Sequence, residues 1–479
     1  MPRRVHFISL GCPKNRVDSE VMLGLLNQAQ YEFVENPQDA HVIVVNTCAF
    51  IEQSKTESVD TILEMAEYKD AGSCDTLVVT GCLAQRYPEE LSQELPEVDY
   101  FLGTGDYPKI VEVLKHREQG TGSMPKTLVG VPDFAGSSSL PRARTQAAFS
   151  QYLKISEGCS NVCSFCIIPT LRGKQKSRTV EDVLKEARML AEQGATELNL
   201  IGQDLTAYGF DLPQKPKLMT LLESLSQIEQ VRWIRLLYAY PRSFNLELIR
   251  YMAQAPKVLP YIDMPLQHIS DRMLRLMRRG KAEQGTRDLI ETLRKEMPNL
   301  VLRTTFITGF PGETEEDFKT LYQFVQDFEF DRVGVFTYSQ EEGTPAATMS
   351  NQIPHELALE RQGLLMELQK KISRKKLRTL KGQTLEVLIE GPSEETDLLL
   401  QGRYFGQAPE VDGHVLMNDG QANPGDYAMV KIHQIGDYDV VGKIVSVHAP
   451  AQIITQPSQL MMSGNKMLMS PLSHLPIVH

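Results

Sequence analysis

Apolar positions along this chain follow two rhythms. Short, nearly unbroken apolar runs occur at Val5-His-Phe-Ile-Ser-Leu10, His41-Val-Ile-Val-Val-Asn-Thr-Cys48 and Thr76-Leu-Val-Val-Thr-Gly-Cys82. They have the length and β-branched content of strands buried on both faces. Between them lie helical stretches: Val21-Met-Leu-Gly-Leu-Leu26, residues 51–66, and a segment starting near Pro88. This alternation predicts an open parallel α/β sheet with helices on both faces. The pattern thins after Thr104, and Ala135-Gly-Ser-Ser-Ser-Leu-Pro-Arg-Ala-Arg144 has linker composition. A first domain is predicted over 1–134 and a linker over 135–146, with Arg142 and Arg144 as solvated linker charges.

The alternation resumes at 147 and runs to 381. Strands are predicted at Tyr152–Ser156, Glu197–Ile201, Val231–Tyr238, Tyr261–His268, Leu300–Thr308 and Asp331–Tyr338. In the helix predicted over Val180–Gln193, Val183, Leu184, Ala187, Leu190 and Ala191 keep a helical period. Six strand–helix units are two short of a closed eightfold barrel. His355 to Lys381 reads as one long charged helix. Its basic end (Lys370, Lys371, Arg374, Lys375, Lys376, Arg378) reads as a solvated face, with contact to RNA or an acidic surface as the alternative. From 382 to 448, five short strands with Gly-Asp and Asn-Asp-Gly turns predict a small all-β barrel. Residues 449–479 are polar, Met-rich and unpatterned, and are predicted to be a disordered tail.

Composition narrows the function. With 479 residues, 42% hydrophobic and 23% charged, the chain is an ordinary globular one of several domains. A net charge of −11 argues against a general nucleic-acid coat and suits a basic protein partner. No apolar run is long enough to span a bilayer, and the N-terminus lacks the features of a signal peptide. Seven cysteines, an odd number, point to a reducing, cytoplasmic setting and to metal chemistry.

Cys159, Cys163 and Cys166 fall at the spacing Cys-x3-Cys-x2-Cys. Thiolates favour soft metals, and a zinc site would need a fourth nearby ligand, which the flanking sequence lacks. An iron–sulfur cube with one open iron suits the triplet better. Cys12, Cys48 and Cys82 each follow the C-terminal end of a predicted strand, the sheet edge where ligands bind. They read as a second convergent trio, or as three unrelated buried cysteines. Cys74 precedes its strand, at the opposite edge, and reads as a bystander.

The triplet, with Phe165 before its last cysteine, resembles the radical S-adenosylmethionine (radical SAM) superfamily, and the six units fit its partial (β/α)6 barrel. Gly11-Cys12-Pro13-Lys14-Asn15, Asn46-Thr47-Cys48 and Thr80-Gly81-Cys82 resemble the N-terminal domain of its methylthiotransferase family, and residues 382–448 that family's TRAM domain. The resemblance implies two [4Fe-4S] clusters, one on Cys159, Cys163 and Cys166 and an auxiliary one on Cys12, Cys48 and Cys82, with SAM at the open iron. It implies SAM contacts at Gln203, Asp204, Gln267 and Arg303, Arg303 serving the carboxylate, though each is equally readable as a satisfied rim group. Gly309-Phe-Pro-Gly-Glu313 would shape the adenosine pocket, and His268 reads as structural rather than as a proton carrier.

Gly11-Cys-Pro-Lys-Asn-Arg-Val-Asp-Ser-Glu20, Ala408-Pro-Glu-Val-Asp-Gly-His414 and Gly436-Asp-Tyr-Asp-Val-Val-Gly442 resemble the branch that modifies a ribosomal protein. This implies methylthiolation of an aspartate β-carbon on the twelfth small-subunit protein, with two SAM per turnover. An external electron donor and a sulfur donor would be needed, and nucleic acid would be met only through the ribosome. Between 382 and 448, eleven Asp and Glu stand against three Lys and Arg, which argues for a basic protein partner. The competing readings are a tRNA methylthiotransferase and a non-catalytic iron–sulfur ribosome-assembly factor.

Overall fold

Val42–Thr47 and Thr76–Gly81 contain no exposed residue, and each becomes an inner strand of a parallel sheet. The structure, a computed structural model, describes residues 2–120 and 124–448; the tail predicted over 449–479 lies outside the described residues. The first sheet contains β1 (Arg4–Ser9), β2 (Glu32–Phe33), β3 (Val42–Thr47), β4 (Thr76–Gly81), β5 (Tyr100–Leu102) and β6 (Thr127–Leu128). Their order is β2-β1-β3-β4-β5-β6. The short strands β2, β5 and β6 have too few residues for a period and were not predicted. Register matters most here: Ser9 pairs with Asn46, Asn46 with Thr80, and Thr47 with Gly81. The three strand ends are thereby level, and the cysteines beyond them emerge at one edge.

The second sheet is built from β7 (Ser150–Lys154) and, after a small hairpin of β8 (Ser156–Glu157) and β9 (Lys176–Ser177), from β10 (Glu197–Ile201), β11 (Trp233–Leu236), β12 (Val258–Asp263), β13 (Val301–Thr308) and β14 (Arg332–Thr337). Its six strands are all parallel, in the order β14-β13-β12-β11-β10-β7, which is the partial (β/α)6 arrangement. One strand is displaced: the run predicted at Tyr261–His268 is a strand only to Asp263. Gln267 takes a left-handed φ of 71° and keeps a single bridge to Phe306, so regular pairing stops before it.

The last sheet, β15 (Thr384–Pro392), β16 (Leu400–Tyr404), β17 (Val415–Asp419), β18 (Tyr427–Ile435) and β19 (Val440–His448), closes into a five-stranded barrel. It docks on the central sheet through a shared apolar cluster. Val17 from the first helix, Trp233 and Tyr261 from the central sheet, and Leu388, Ala408 and Tyr427 from the barrel meet there.

Two charge assignments change. Arg142 is no solvated linker group: it is buried against Glu20 and Glu186 and donates to the Tyr152 carbonyl (2.8 Å). The basic end of helix His355–Arg378 stays largely exposed, yet four of its cations also form ion pairs with neighbouring domains. Lys370 and Arg374 pair with Asp437 of the barrel, and Lys375 and Lys376 with Glu329 and Asp331 of the central domain. The helix strap joins two domains.

Candidate active site

The cysteine loop after β8 is shaped by a glycine. Gly158 has φ +75°, and a Cβ there would stand 2.6 and 2.7 Å from the carbonyl oxygens of Gly173 and Arg172. Only glycine lets the loop lie on the end of helix Ile168–Arg172. Cys159 N–H donates to the Gly173 carbonyl (3.0 Å). Ser164 fixes the middle, its N–H on the Met277 carbonyl (3.1 Å) and its hydroxyl on the Leu276 carbonyl (2.7 Å). Cys159, Cys163 and Cys166 consequently line one cleft.

The thiols already have donors. Asn161 gives both its backbone and its side-chain N–H to Cys159 Sγ (3.4 Å each), and Arg279 Nη1 donates to Cys163 Sγ (3.3 Å). Burial pushes the Cys159 and Cys166 thiols up from their ordinary pKa, so without a metal they stay protonated. Among the described residues no three His, Cys, Asp or Glu side chains are placed to hold a single metal ion. Three sulfurs on one cleft wall, with hydrogen bonds directed at them, fit an iron–sulfur cluster.

The second trio sits at the levelled edge of the first sheet. The glycines before Cys12 and Cys82 have a steric cause. A Cβ on Gly11 would meet the Cys48 Cβ at 2.8 Å, and one on Gly81 would strike the Asn46 side chain. Asn15 ties the loops together, donating to the carbonyls of Leu10 (2.7 Å) and Thr47 (3.1 Å). The three thiols are near enough to perturb one another: burial, then Cys82 and Cys12, pushes Cys48 up to about 12. Cys74 lies before β4, buried, its Sγ 3.5 Å from the Thr76 carbonyl. No disulfide joins any of the seven cysteines.

The cleft of the Cys159 trio is lined in part by residues that neighbour the second trio. Phe50, two residues beyond Cys48, lines the cleft of the Cys159 trio, as does Tyr238. On its other side Tyr238 carries the Lys14 ammonium, 3.3 Å from the ring centroid, and it is near enough to Cys12 to feel its charge. Burial pulls Lys14 down to about 7 despite Cys12 and Glu157. A charge-balanced buried tetrad links residues near the two trios. Lys154 pairs with Asp18 (2.5 Å) and Glu157 (2.8 Å), and Arg172 with the same two (2.6 and 3.1 Å). Arg172 also hydrogen-bonds Cys82, and Glu157 accepts from Gln203. A polar path thus runs from one trio to the wall of the other's cleft.

The residues singled out in sequence separate into two groups. Phe165, Gln203 and Gln267 line the cleft. Gln203 Oε1 is buried without a partner among the described residues, and Phe165 packs edge-on to Phe310 of the Gly309–Glu313 turn (6.4 Å). Asp204 touches the cleft only through Asn161, whose amide donates to it (2.9 Å), while its other oxygen accepts from Thr206. Arg303 is not among the cleft-lining residues; it is paired with Asp263 (2.8 Å) and faces Asp412 of the barrel (3.9 Å). His268 is wholly buried. Its Nδ1 accepts from the N–H groups of Ile269 and Ser270, and its Nε2 stands 3.3 Å from Glu313. Arg279, Tyr238, Tyr240 and Lys14 were not found from the sequence. The first three sit in loops, and loops have no period to announce which side chains turn inward; Lys14 lies in the first turn of helix Pro13–Gln28.

Comparison with known proteins agrees with this arrangement. Residues 4–103 match the family described as uncharacterized protein family UPF0004, residues 153–325 the radical SAM superfamily, and residues 382–445 the TRAM domain. Among solved structures, the radical SAM methyltransferase TsrM from Kitasatospora setae superposes with a TM-score of 0.54 at 16% identity, over 72% of this chain and 77% of that one, which shows a shared fold. A parallel half-barrel with a three-cysteine loop, matched to that superfamily, defines a radical SAM enzyme. The ribosomal protein uS12 methylthiotransferase RimO of Myxococcus xanthus is 52% identical over 451 residues, 94% of each chain. The RimO protein of Geobacter sulfurreducens is 51% identical over 92% of this chain and 99% of its own. The chain belongs to the RimO family of radical SAM methylthiotransferases.

Proposed function

We propose that the chain attaches a methylthio group to the β-carbon of an aspartate on ribosomal protein uS12, using two [4Fe-4S] clusters and two SAM per turnover. The observation that carries this reading is the cleft lined by Cys159, Cys163 and Cys166, two of whose other lining residues adjoin the second trio: Phe50, two residues beyond Cys48, and Tyr238, near enough to Cys12 to feel its charge. Cys159, Cys163 and Cys166 would hold one cluster and Cys12, Cys48 and Cys82 the other; when bound, they supply the electron that cleaves SAM to a carbon radical and the sulfur to be transferred. An unactivated C–H bond offers no acidic proton to a side-chain base, so cofactor chemistry is required.

The residues themselves orient and exclude. Gln203, a cleft-lining residue whose Oε1 has no partner among the described residues, would accept from the SAM amino group, Gln267 would add a second amide, and Phe165 with Phe310 would wall one side. Arg303, already paired with Asp263, is not the carboxylate partner in this reading. Phe50 and Tyr238, which line the cleft, would help to exclude water from it. Among the described residues no helix is long and apolar enough to cross a membrane. Action on a ribosomal protein is cytoplasmic work, with external electron and sulfur donors.

The test is anaerobic reconstitution of the full chain with SAM, a reductant and small ribosomal subunits. The reading requires 5′-deoxyadenosine together with one methylthio group on uS12 by peptide mass spectrometry. Modification of a tRNA adenosine with uS12 unchanged would overturn the substrate. Absence of SAM cleavage in a fully loaded protein would favour a binding factor instead.

A further inference from the structure

Arg279 is a buried cation in an unusual setting. Its side chain reaches Cys163 Sγ through Nη1 (3.3 Å), the Pro265 carbonyl through Nη2, and the face of Tyr240, 4.2 Å from the ring centroid. Its Nε is buried with no hydrogen-bond partner. Among the described residues no carboxylate forms an ion pair with it. The acidic charge it feels is Asp204, which is already engaged by Asn161 and Thr206. Arg172 beside the other trio is the contrast, since Asp18 and Glu157 neutralise it.

The backbone holds Arg279 in place. It follows the short helix Asp271–Leu276, its N–H donates to the Leu274 carbonyl (2.9 Å), and its own carbonyl accepts from the Tyr240 hydroxyl (2.7 Å). Arg278 before it is left-handed at φ 55° and Gly280 after it at φ 67°. A non-glycine residue in that region is strained. The turn therefore carries strain to aim one guanidinium at one sulfur.

An isolated buried charge is expensive unless an anion meets it. The anion here is the thiolate set of Cys159, Cys163 and Cys166. Cluster potentials are set by net charge and by hydrogen bonds to the sulfurs. We infer that Arg279 is a positioning residue that sets the reduction potential of the cluster held by Cys159, Cys163 and Cys166. Its uncompensated charge and its N–H···S bond stabilise the reduced, more negative state and make the electron easier to place there. It does so without acting on the trio of Cys12, Cys48 and Cys82. The inference rests on the two-cluster reading, and its test separates the two.

The experiment uses the full chain carrying Cys12→Ser, Cys48→Ser and Cys82→Ser, so that only the Cys159 side is loaded, followed by potentiometric titration read by electron paramagnetic resonance. Arg279→Met should lower the one-electron reduction constant at least tenfold, a midpoint about 59 mV more negative. Arg279→Lys, which keeps the charge but loses the fork, should fall between Met and the parent. Where Arg279→Met fails to take up its iron, Arg279→Lys decides alone, with a midpoint below the parent as the required result. An unchanged midpoint in loaded Arg279→Met, or in Arg279→Lys where that variant decides, would overturn the inference. So would an equal shift of the auxiliary signal in Arg279→Met with all six cysteines intact. The two-cluster reading is judged separately, by whether the six-cysteine chain takes up about eight irons rather than about four.

Discussion

Glutamine in place of Glu197 isolates the interaction that holds the terminal barrel on the central sheet. Glu197 is wholly buried. One oxygen accepts from Arg235 Nη2 (3.0 Å), and the other from Arg403 Nη2 (2.7 Å) and the Ser150 hydroxyl (2.7 Å). Arg403 also meets Glu390, so two cations balance two carboxylates. Glu197→Gln keeps the shape and leaves one guanidinium charge in excess where no water reaches, a loss of about 3–5 kcal/mol. Titration gives an independent figure. Burial alone would raise the Glu197 pKa, but Arg403 and Arg235 outweigh it and hold the group at about 2, against an ordinary 4.5. That difference corresponds to about 3 kcal/mol. Because the folded-state value is the lower one, this stabilisation is complete above pH 4.5 and disappears as pH falls from there towards 2. Trp233, the single tryptophan, packs edge-on to Tyr427 of the barrel at 5.0 Å and reports the interface directly. Its fluorescence in urea should show an earlier transition in Glu197→Gln, without the acid-dependent slope of the parent. Arg403→Met should cost less, since Glu197 keeps Arg235 and the residual negative charge reaches solvent at Glu390, whose side chain is 19% exposed. A Glu197→Gln transition within about 1 kcal/mol of the parent (about a fifth to a third of the buried-pair cost), or an Arg403→Met variant weaker than Glu197→Gln, would refute the argument.

Serine at Cys12, Cys48 and Cys82 should remove half of the reconstituted iron, serine at Cys159, Cys163 and Cys166 the other half, and Cys74→Ser none, as read by iron and sulfide analysis. Arg142→Met leaves Glu20 and Glu186 without their shared cation and should cost about 3–5 kcal/mol in a thermal or urea transition. Gly173→Ala places a methyl group against the Pro132 carbonyl at φ +74°. The backbone alone makes this cost about 1–3 kcal/mol, and the melting temperature should fall with it.

Strand ends and the cysteine motifs were legible in sequence because each is local. An apolar run stops where its burial stops, and three runs ending in cysteine predict one edge once the strands are parallel. The register of Ser9, Asn46 and Thr80 completes that reasoning. What failed was anything decided by a distant partner. Arg142 looks like any linker arginine until Glu20 and Glu186 enclose it from two different helices. Tyr261–His268 reads as one strand by composition, but Gln267 turns left-handed to enter the cleft and ends the pairing early.

The acidity of the terminal barrel is the most instructive case. Counted as composition, eleven acids against three bases imply a surface waiting for a basic partner. In the fold, Glu386 pairs with Arg232, Glu390 with Arg403, Glu410 with Arg16, and Asp437 with Lys370 and Arg374, while Asp412 accepts from Tyr261. Apart from Glu390, those partners belong to the other domains, so much of the excess charge is the barrel's half of its own docking surface. Glu394, Glu395, Asp397 and Asp419 remain exposed. A partner feels only the charge left after internal pairs are formed. Support for a protein substrate therefore rests on family membership, and the barrel's total charge adds little to it.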